Sequence, residues 1–470
     1  MSFDLLQMGC FVLTPLVMLA LRLIALRWIP FRIVSTSTAA TVGFLVYWVL
    51  PILTLGNEID ISLPAFSAHV CVAYAAFLAG CIVSQRPATR LSYRLRSGVI
   101  AVPGAYRLAV LLCVAVICFR LYLFLRLGGF RYLIYFWLYS NPIGDTLAMF
   151  EAQFGASDPS LLVSRSADVL FVMASSLVLV RRFRLGASLW LLGVLCGLTQ
   201  YQGRSAIFES IMVPYIAYVL LRKPRPRAVL LHVSLFAVVG IMAFSWMGSV
   251  RQGEDWTFGL DRIVDDINMG FGGPTVNATQ ILANQRWRGD PEQYILKYVL
   301  FVVPRALWPN KPADEFNRVA TTLLTGRGIS AQNSALTSTI LGEGWYYFGS
   351  LGSILLPFML GGMSQMFEGL FLSRPYLLGA YANLVVGTLI SMRSTLLNYF
   401  QGNLFVFALA LPVGLFLDRR VRVRQTARRD CGASGASGVR GPIEIPAASA
   451  AGGPQVGRPI SHHGPAGRSS

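Results

Sequence analysis

The chain has 470 residues, of which 54% are hydrophobic and 13% charged, and its mean hydropathy is +0.57. Soluble proteins carry roughly 25% charged residues, so this chain has too little polar material to cover its apolar mass. A soluble enzyme, a disordered chain and a secreted disulfide scaffold are excluded. The net charge of +18 lies in short basic clusters between apolar runs, the pattern of inner-face membrane loops rather than of a nucleic-acid binder.

Apolar runs of about 20 residues recur along the chain. Each must be helical, because lipid cannot satisfy free backbone groups. The reading is an all-α polytopic membrane protein with about eleven transmembrane helices and one large extracytoplasmic loop containing short helices. The spans fall at roughly 5–26, 38–56, 65–84, 105–127, 161–180, 185–201, 203–221, 228–249, 345–371, 375–398 and 401–417. The first is a span rather than a cleaved signal, since it lacks a basic start and a small-residue cleavage site.

The connections alternate in charge. Arg22, Arg27 and Arg32 follow the first span, and Glu58 and Asp60 the second. Arg86, Arg90, Arg94 and Arg96 follow the third, and Asp145, Glu151 and Asp158 the fourth. Arg181, Arg182 and Arg184 follow the fifth, and Arg222, Lys223, Arg225 and Arg227 the seventh. Arg419, Arg420, Arg422 and Arg424 follow the last. The rule that inner loops are basic puts the N-terminus outside and the C-terminus inside.

Four regions result: an N-terminal bundle (1–250), a large outer loop (251–344), C-terminal helices (345–418) and a basic inner-face tail (419–470). The tail, rich in Ala, Gly, Ser, Pro and Arg, cannot bury a core and reads as disordered. A loop this long is usually functional. It holds Trp256, Trp287, Trp308 and an apolar run, Tyr294–Leu307, too short to span and interrupted by Pro304. That run reads as re-entrant or surface-lying.

Six of the seven cysteines fall inside apolar runs and one in the tail, so no disulfide framework is expected. No Cys/His spacing suggests zinc, and neither a metal nor a cofactor is expected. The acidic pairs Glu254-Asp255 and Asp265-Asp266 could hold a divalent ion, but a solvated face is the favoured reading; Asn277-Ala-Thr is an uninformative glycosylation match.

Charge inside or beyond the wrong face of a membrane is costly, which makes its location informative. Arg204, Arg251, Arg305 and Arg393 fall on the outer side, and Lys311 lies near Arg305. Each arginine alone could snorkel to outer headgroups. Four on one side, with few acidic partners, suit an anion instead. Guanidinium forks grip phosphate bidentately, so a lipid-linked diphosphate is the candidate ligand. Arg165 and Asp168, three apart, read as an internal ion pair. Arg120 and Glu209 could also pair within the bundle, and His69 reads as a hydrogen-bonded core residue.

Two outer motifs go beyond composition: Phe301-Val-Val-Pro-Arg-Ala-Leu-Trp-Pro-Asn-Lys-Pro312 and Thr339-Ile-Leu-Gly-Glu-Gly-Trp-Tyr-Tyr-Phe-Gly-Ser-Leu-Gly352. Together they resemble the oligosaccharide repeat-unit polymerases, the Wzy-type or O-antigen polymerase family. Pro304, Arg305, Trp308, Pro309, Lys311 and Pro312 fill the first family pattern, and Gly342, Glu343, Phe348, Gly349 and Gly352 the second. Gly203-Arg204-Ser205 looks like a shortened Gly-Ser-Arg turn of that family. The specific resemblance covers about residues 200–352.

The resemblance implies an enzyme that moves a growing glycan from undecaprenyl diphosphate onto a lipid-linked repeat unit. Developing charge on the leaving diphosphate needs preorganised cations. Arg305 is expected in a catalytic role, with Arg204, Arg251, Lys311 and Arg393 holding the diphosphate. The acceptor hydroxyl needs a base, and Glu343 is the candidate, its alternative being a structural partner for an arginine. Trp308 and Trp345 could stack on sugar faces or anchor at the interface. The partners are the undecaprenyl-diphosphate-linked oligosaccharide and membrane lipid. Whether a chain-length regulator binds is left open, and no nucleic acid is involved. A glycan ligase and a transporter or flippase are the rivals.

Overall fold

Where the sequence repeats apolar side chains, the backbone is helical, and no strand occurs among the described residues. The computed structural model describes residues 5–29, 32–95, 103–126, 170–179, 181–197, 204–222, 224–252, 272–284, 288–300, 316, 339–372, 377–393, 395–396 and 399. All of these belong to the unit Met1–Val421. The tail beyond residue 419 and the expected span 401–417 lie outside the described residues.

The helices are α1 (Leu5–Ala25), α2 (Thr36–Phe44), α3 (Leu50–Thr54), α4 (Leu63–Leu95), α5 (Pro103–Arg126), α6 (Leu170–Leu179) and α7 (Phe183–Gly197). There follow α8 (Arg204–Arg222), α9 (Pro226–Gln252), α10 (Gly273–Ala283), α11 (Pro291–Leu300), α12 (Ile340–Phe348), α13 (Gly352–Leu372) and α14 (Leu378–Ser391). By length and composition five stretches could cross a membrane, Leu5–Ala25, Thr36–Thr54, Leu63–Gln85, Tyr106–Leu125 and Ile340–Leu372, the last of them interrupted by the turn between α12 and α13. The first four coincide with the first four expected spans. Outward faces of α1 (Leu13, Leu16, Leu19, Leu23) and α9 (Leu230, Leu231, Leu235) are exposed. Such faces suit lipid, not water. This is the architecture of a helical membrane protein.

The spine of the bundle is the parallel pair α4 and α13. Glycines let their backbones meet. A Cβ added at Gly80 would collide with the Phe358 carbonyl oxygen, and one at Gly361 with the Phe77 carbonyl oxygen. Cys81 donates its S–H to Gly361 O at 3.3 Å. Close approach at small residues is how helices associate in lipid, where no hydrophobic force drives them together. α1 flanks α4, while α2 and α14 flank α13; α8 then joins α14 to α7, and α7 meets α5.

A π-helical turn, Leu45–Val49, joins α2 to α3. Its cause is Pro51, which has no N–H to give the Tyr47 carbonyl four residues back. That carbonyl is satisfied from elsewhere: Thr275 Oγ1 of α10 donates to Tyr47 O. The start of the large loop is thereby tucked into the bundle, with Pro274, Thr275, Val276, Ala278, Thr279 and Ile281 buried. Thr279 is fully buried and donates to Val276 O at 2.8 Å, so the Asn277-Ala-Thr match is not an accessible acceptor.

Three expectations need correction. The span read as 345–371 is not one helix. A straight helix would hold Gly344 and Gly352 about 12 Å apart, yet a Cβ on Gly344 would stand 2.7 Å from Gly352 O. α12 therefore folds back along α13. The turn uses Gly349 at φ 59 and ψ −144, a conformation open only to glycine. Consequently the loop ends at Ile340 rather than 344, and the segment folded into the bundle is α12. The run Tyr294–Leu307, read as the re-entrant piece, is helical up to Leu300, with Tyr294 buried and Ile295 and Leu296 exposed; residues 301–307 lie outside the described residues. Finally, the tenth span stops at Ser391 instead of 398, and Met392 and Arg393 form a turn. Of the expected span 161–180, only 170–179 is described.

Candidate functional site

The fold-back of α12 carries Glu343 into the bundle. Thr339 caps the helix, its hydroxyl accepting from Gly342 N at 3.3 Å. A carboxylate in this first turn is favoured by the helix dipole. The residue is 2% exposed. Its Oε2 accepts from the backbone N–H of Leu396 at 2.7 Å, and Leu396 is again helical. One carboxylate thus ties the first turn of α12 to the backbone of Leu396, beyond the end of α14.

Arg393 sits in the turn three residues before Leu396, half-buried. Its N–H donates to Ile390 O at 2.9 Å, and its guanidinium lies in the neighbourhood of the Tyr47 hydroxyl. The structure therefore brings Glu343, Arg393 and Tyr47 to one end of the bundle, beside the buried α10. A buried carboxylate in an apolar surround is tolerated only where polar groups meet it.

Trp345 does not offer a sugar platform. It is 2% exposed, donates its indole N–H to Ser353 Oγ at 2.6 Å, and packs edge-on against Trp48 with ring centroids 6.3 Å apart. His69 lies against the same ring at 5.6 Å, with Nδ1 3.0 Å from Ser353 Oγ. Beyond Trp345, an aromatic cluster of buried Tyr294 and Phe316 and half-buried Tyr346 and Tyr347 covers the last turn of α12. Tyr294 and Tyr347 have centroids 4.6 Å apart, and Phe316 meets Tyr346 at 5.5 Å.

Arg305, Trp308 and Lys311 lie outside the described residues, as do Arg165, Asp168 and the acidic pairs at 254–255 and 265–266. Arg204 is the first residue of α8, and Arg251 lies in the last turn of α9. Arg120 is buried: Nη1 donates to Gly193 O at 2.5 Å, and the guanidinium stands 4.7 Å from the Phe171 ring centroid. Among the described residues no group of three or more His, Cys, Asp or Glu could hold a metal ion, and the described cysteines are free.

A second polar cluster, which the sequence reading missed, lies about 20 Å further along α13, by its rise per residue. Glu368 Oε2 accepts from Thr36 N at 2.9 Å and from Thr36 Oγ1 at 2.5 Å. Arg22 is 7% exposed and donates through Nη2 to Ser37 Oγ at 3.0 Å; its Nη1 has no hydrogen-bond partner. The two charges interact without a direct ion pair. Tyr381, which donates to Val34 O at 3.0 Å, closes the cluster. The available signal was an acidic residue inside an apolar span; Arg22 was read only as a loop cation.

Compared with known proteins, the chain matches no family model, no curated protein and no solved structure.

Proposed function

We propose that the chain is a polysaccharide polymerase of the bacterial inner membrane. It transfers a growing glycan from undecaprenyl diphosphate onto a lipid-linked repeat unit at the outer face. In this reading the chain crosses the membrane about eleven times, its N-terminus is periplasmic, its C-terminus is cytoplasmic, and the end bearing Glu343 faces outward. The observation that supports the reading is a buried carboxylate, Glu343, held by the Leu396 N–H three residues along the chain from Arg393 in an otherwise apolar bundle. Glu343 and Arg393 come from separate segments on either side of α13, at the root of the loop that carries Arg305, Trp308 and Lys311.

The chemistry assigned to these groups is an acyl-free group transfer. The acceptor hydroxyl oxygen bonds to the anomeric carbon, and that carbon's bond to the diphosphate oxygen breaks. The hydroxyl proton passes to Glu343, acting as general base. The negative charge that develops on the departing diphosphate is met by Arg393 and Arg305, with Arg204, Arg251 and Lys311 holding its oxygens. Trp308 remains the candidate for stacking on a sugar face; Trp345 is withdrawn from that role.

A second reading, a transporter or flippase without covalent chemistry, draws on the buried Arg22 and Glu368, since charges deep in a bundle mark transport pathways. A glycan ligase is the nearest enzymatic rival. Deleting the gene separates the enzymes: loss of a polymerase leaves single repeat units attached to the final acceptor, and loss of a ligase leaves none. The Arg305→Ala variant should accumulate as protein and make no long chains. Normal chain lengths in that variant would remove Arg305 from the site.

A further inference from the structure

Trp345, Ser353 and His69 form a hydrogen-bonded relay whose direction follows from the donors available. An indole N–H can only donate, so Trp345 Nε1 gives its proton to Ser353 Oγ at 2.6 Å. Ser353 Oγ also lies 3.0 Å from His69 Nδ1. Ser353 has no other hydrogen-bond partner among the described residues, and it is 1% exposed. Its own proton is satisfied only if it points at His69 Nδ1. Nδ1 is then the accepting nitrogen, and a neutral imidazole with that pattern carries its proton on Nε2. The tautomer is assigned from this donor count, as it must be where hydrogens are not seen.

The relay leaves one donor over. His69 Nε2 has no partner among the described residues, and the residue is only partly buried. It stands about 9 Å below the start of α4, by the rise of a helix, at the level of Trp48 and Trp345. At that depth a donor without an acceptor is costly. What would relieve it is an oxygen that accepts. Sugar hydroxyls both donate and accept; phosphoryl oxygens only accept, and they match a donor held in one orientation.

We propose that His69 donates its Nε2–H to a phosphoryl oxygen of the lipid-linked substrate, with Ser353 and Trp345 as positioning residues that fix the tautomer. Naming the substrate rests on the polymerase reading; a phospholipid headgroup offers the same oxygen chemistry, and the test separates the two. His69 is a binding residue here, and the base remains Glu343.

The experiment uses full-length protein in phosphatidylcholine nanodiscs with its histidines labelled with nitrogen-15. The chain has four histidines, and the signal lost in His69→Gln identifies the one of interest. Without ligand, His69 should show the neutral Nε2–H form. Adding undecaprenyl diphosphate should shift that nitrogen, while nanodiscs enriched in phosphatidylglycerol should not. Ser353→Ala should give a mixture of tautomers. His69→Ala should bind undecaprenyl diphosphate about tenfold more weakly, and His69→Gln, which keeps an N–H donor, should recover part of that loss. An Nδ1–H form, or an Nε2 that ignores undecaprenyl diphosphate, overturns the proposal. A shift with phosphatidylglycerol alone overturns the substrate assignment. If the shift occurs but the purified protein lengthens no glycan, the polymerase reading fails and the phosphoryl site stands. If glycans lengthen while His69 stays silent, only this inference fails.

Discussion

Replacing Glu343 with Gln separates the two roles that its position allows. As a structural group, the carboxylate holds the Leu396 N–H at 2.7 Å. A hydrogen bond to a charged group contributes about 1.5–3 kcal/mol. Glu343→Ala removes that bond and leaves a buried N–H unpaired beside a small cavity, a loss of about 3–4 kcal/mol. Gln keeps a carbonyl oxygen of nearly the same reach, so the N–H stays satisfied and the loss falls to about 1 kcal/mol. As a general base, however, Gln is inert, and removing a base lowers turnover by about 100-fold or more. Thermal unfolding of the purified protein in detergent and elongation of a lipid-linked repeat unit should therefore diverge. The Gln variant should unfold near the wild-type temperature and elongate almost nothing. The Ala variant should lose both. A Gln variant that elongates at the wild-type rate would falsify the base assignment and leave Glu343 as the tie between α12 and the backbone of Leu396.

Gly361→Ala should destabilise the spine by about 1–3 kcal/mol, because its Cβ meets backbone that cannot rotate away. Gly387→Ala, with nothing within 4 Å of the added atom, should be neutral or slightly stabilising in the same unfolding assay. Glu368→Leu should cost about 3–5 kcal/mol, since it strands the Thr36 donors and the nearby Arg22. Glu368→Gln should cost far less and leave elongation intact, whereas loss of elongation there would tie the second cluster to function. Arg393→Ala should lower kcat/KM at least about tenfold with Lys restoring only part, because a point charge does not reproduce a bidentate fork; an unchanged value removes Arg393 from the diphosphate site.

The first four spans were legible within about two residues, because lipid imposes length and apolarity on whatever crosses it. What escaped the sequence were places where polar groups satisfy one another over long separations. Nothing local to Thr275 announces that it will fill the carbonyl left open by Pro51, so a helix read as loop proved to be buried. The fold-back at Gly349 hid inside an apolar run, since hydropathy carries no record of direction. The Gly-Glu motif itself was legible as special, and its glycines have a physical reason in the contact between Gly344 and Gly352. A tryptophan that packs and one that stacks on a ligand are identical in sequence, and Trp345 proved to be the former. Arg22 and Glu368 were missed because a snorkelling cation and a buried one differ only in what lies beside them.

The central claim is that this chain makes glycosidic bonds from a lipid-linked donor. Purified protein in liposomes, supplied with one population of undecaprenyl-diphosphate-linked repeat units, should convert them into a ladder of longer chains and release undecaprenyl diphosphate in equal number to the bonds formed. Repeat units that move between leaflets with their length unchanged would contradict it.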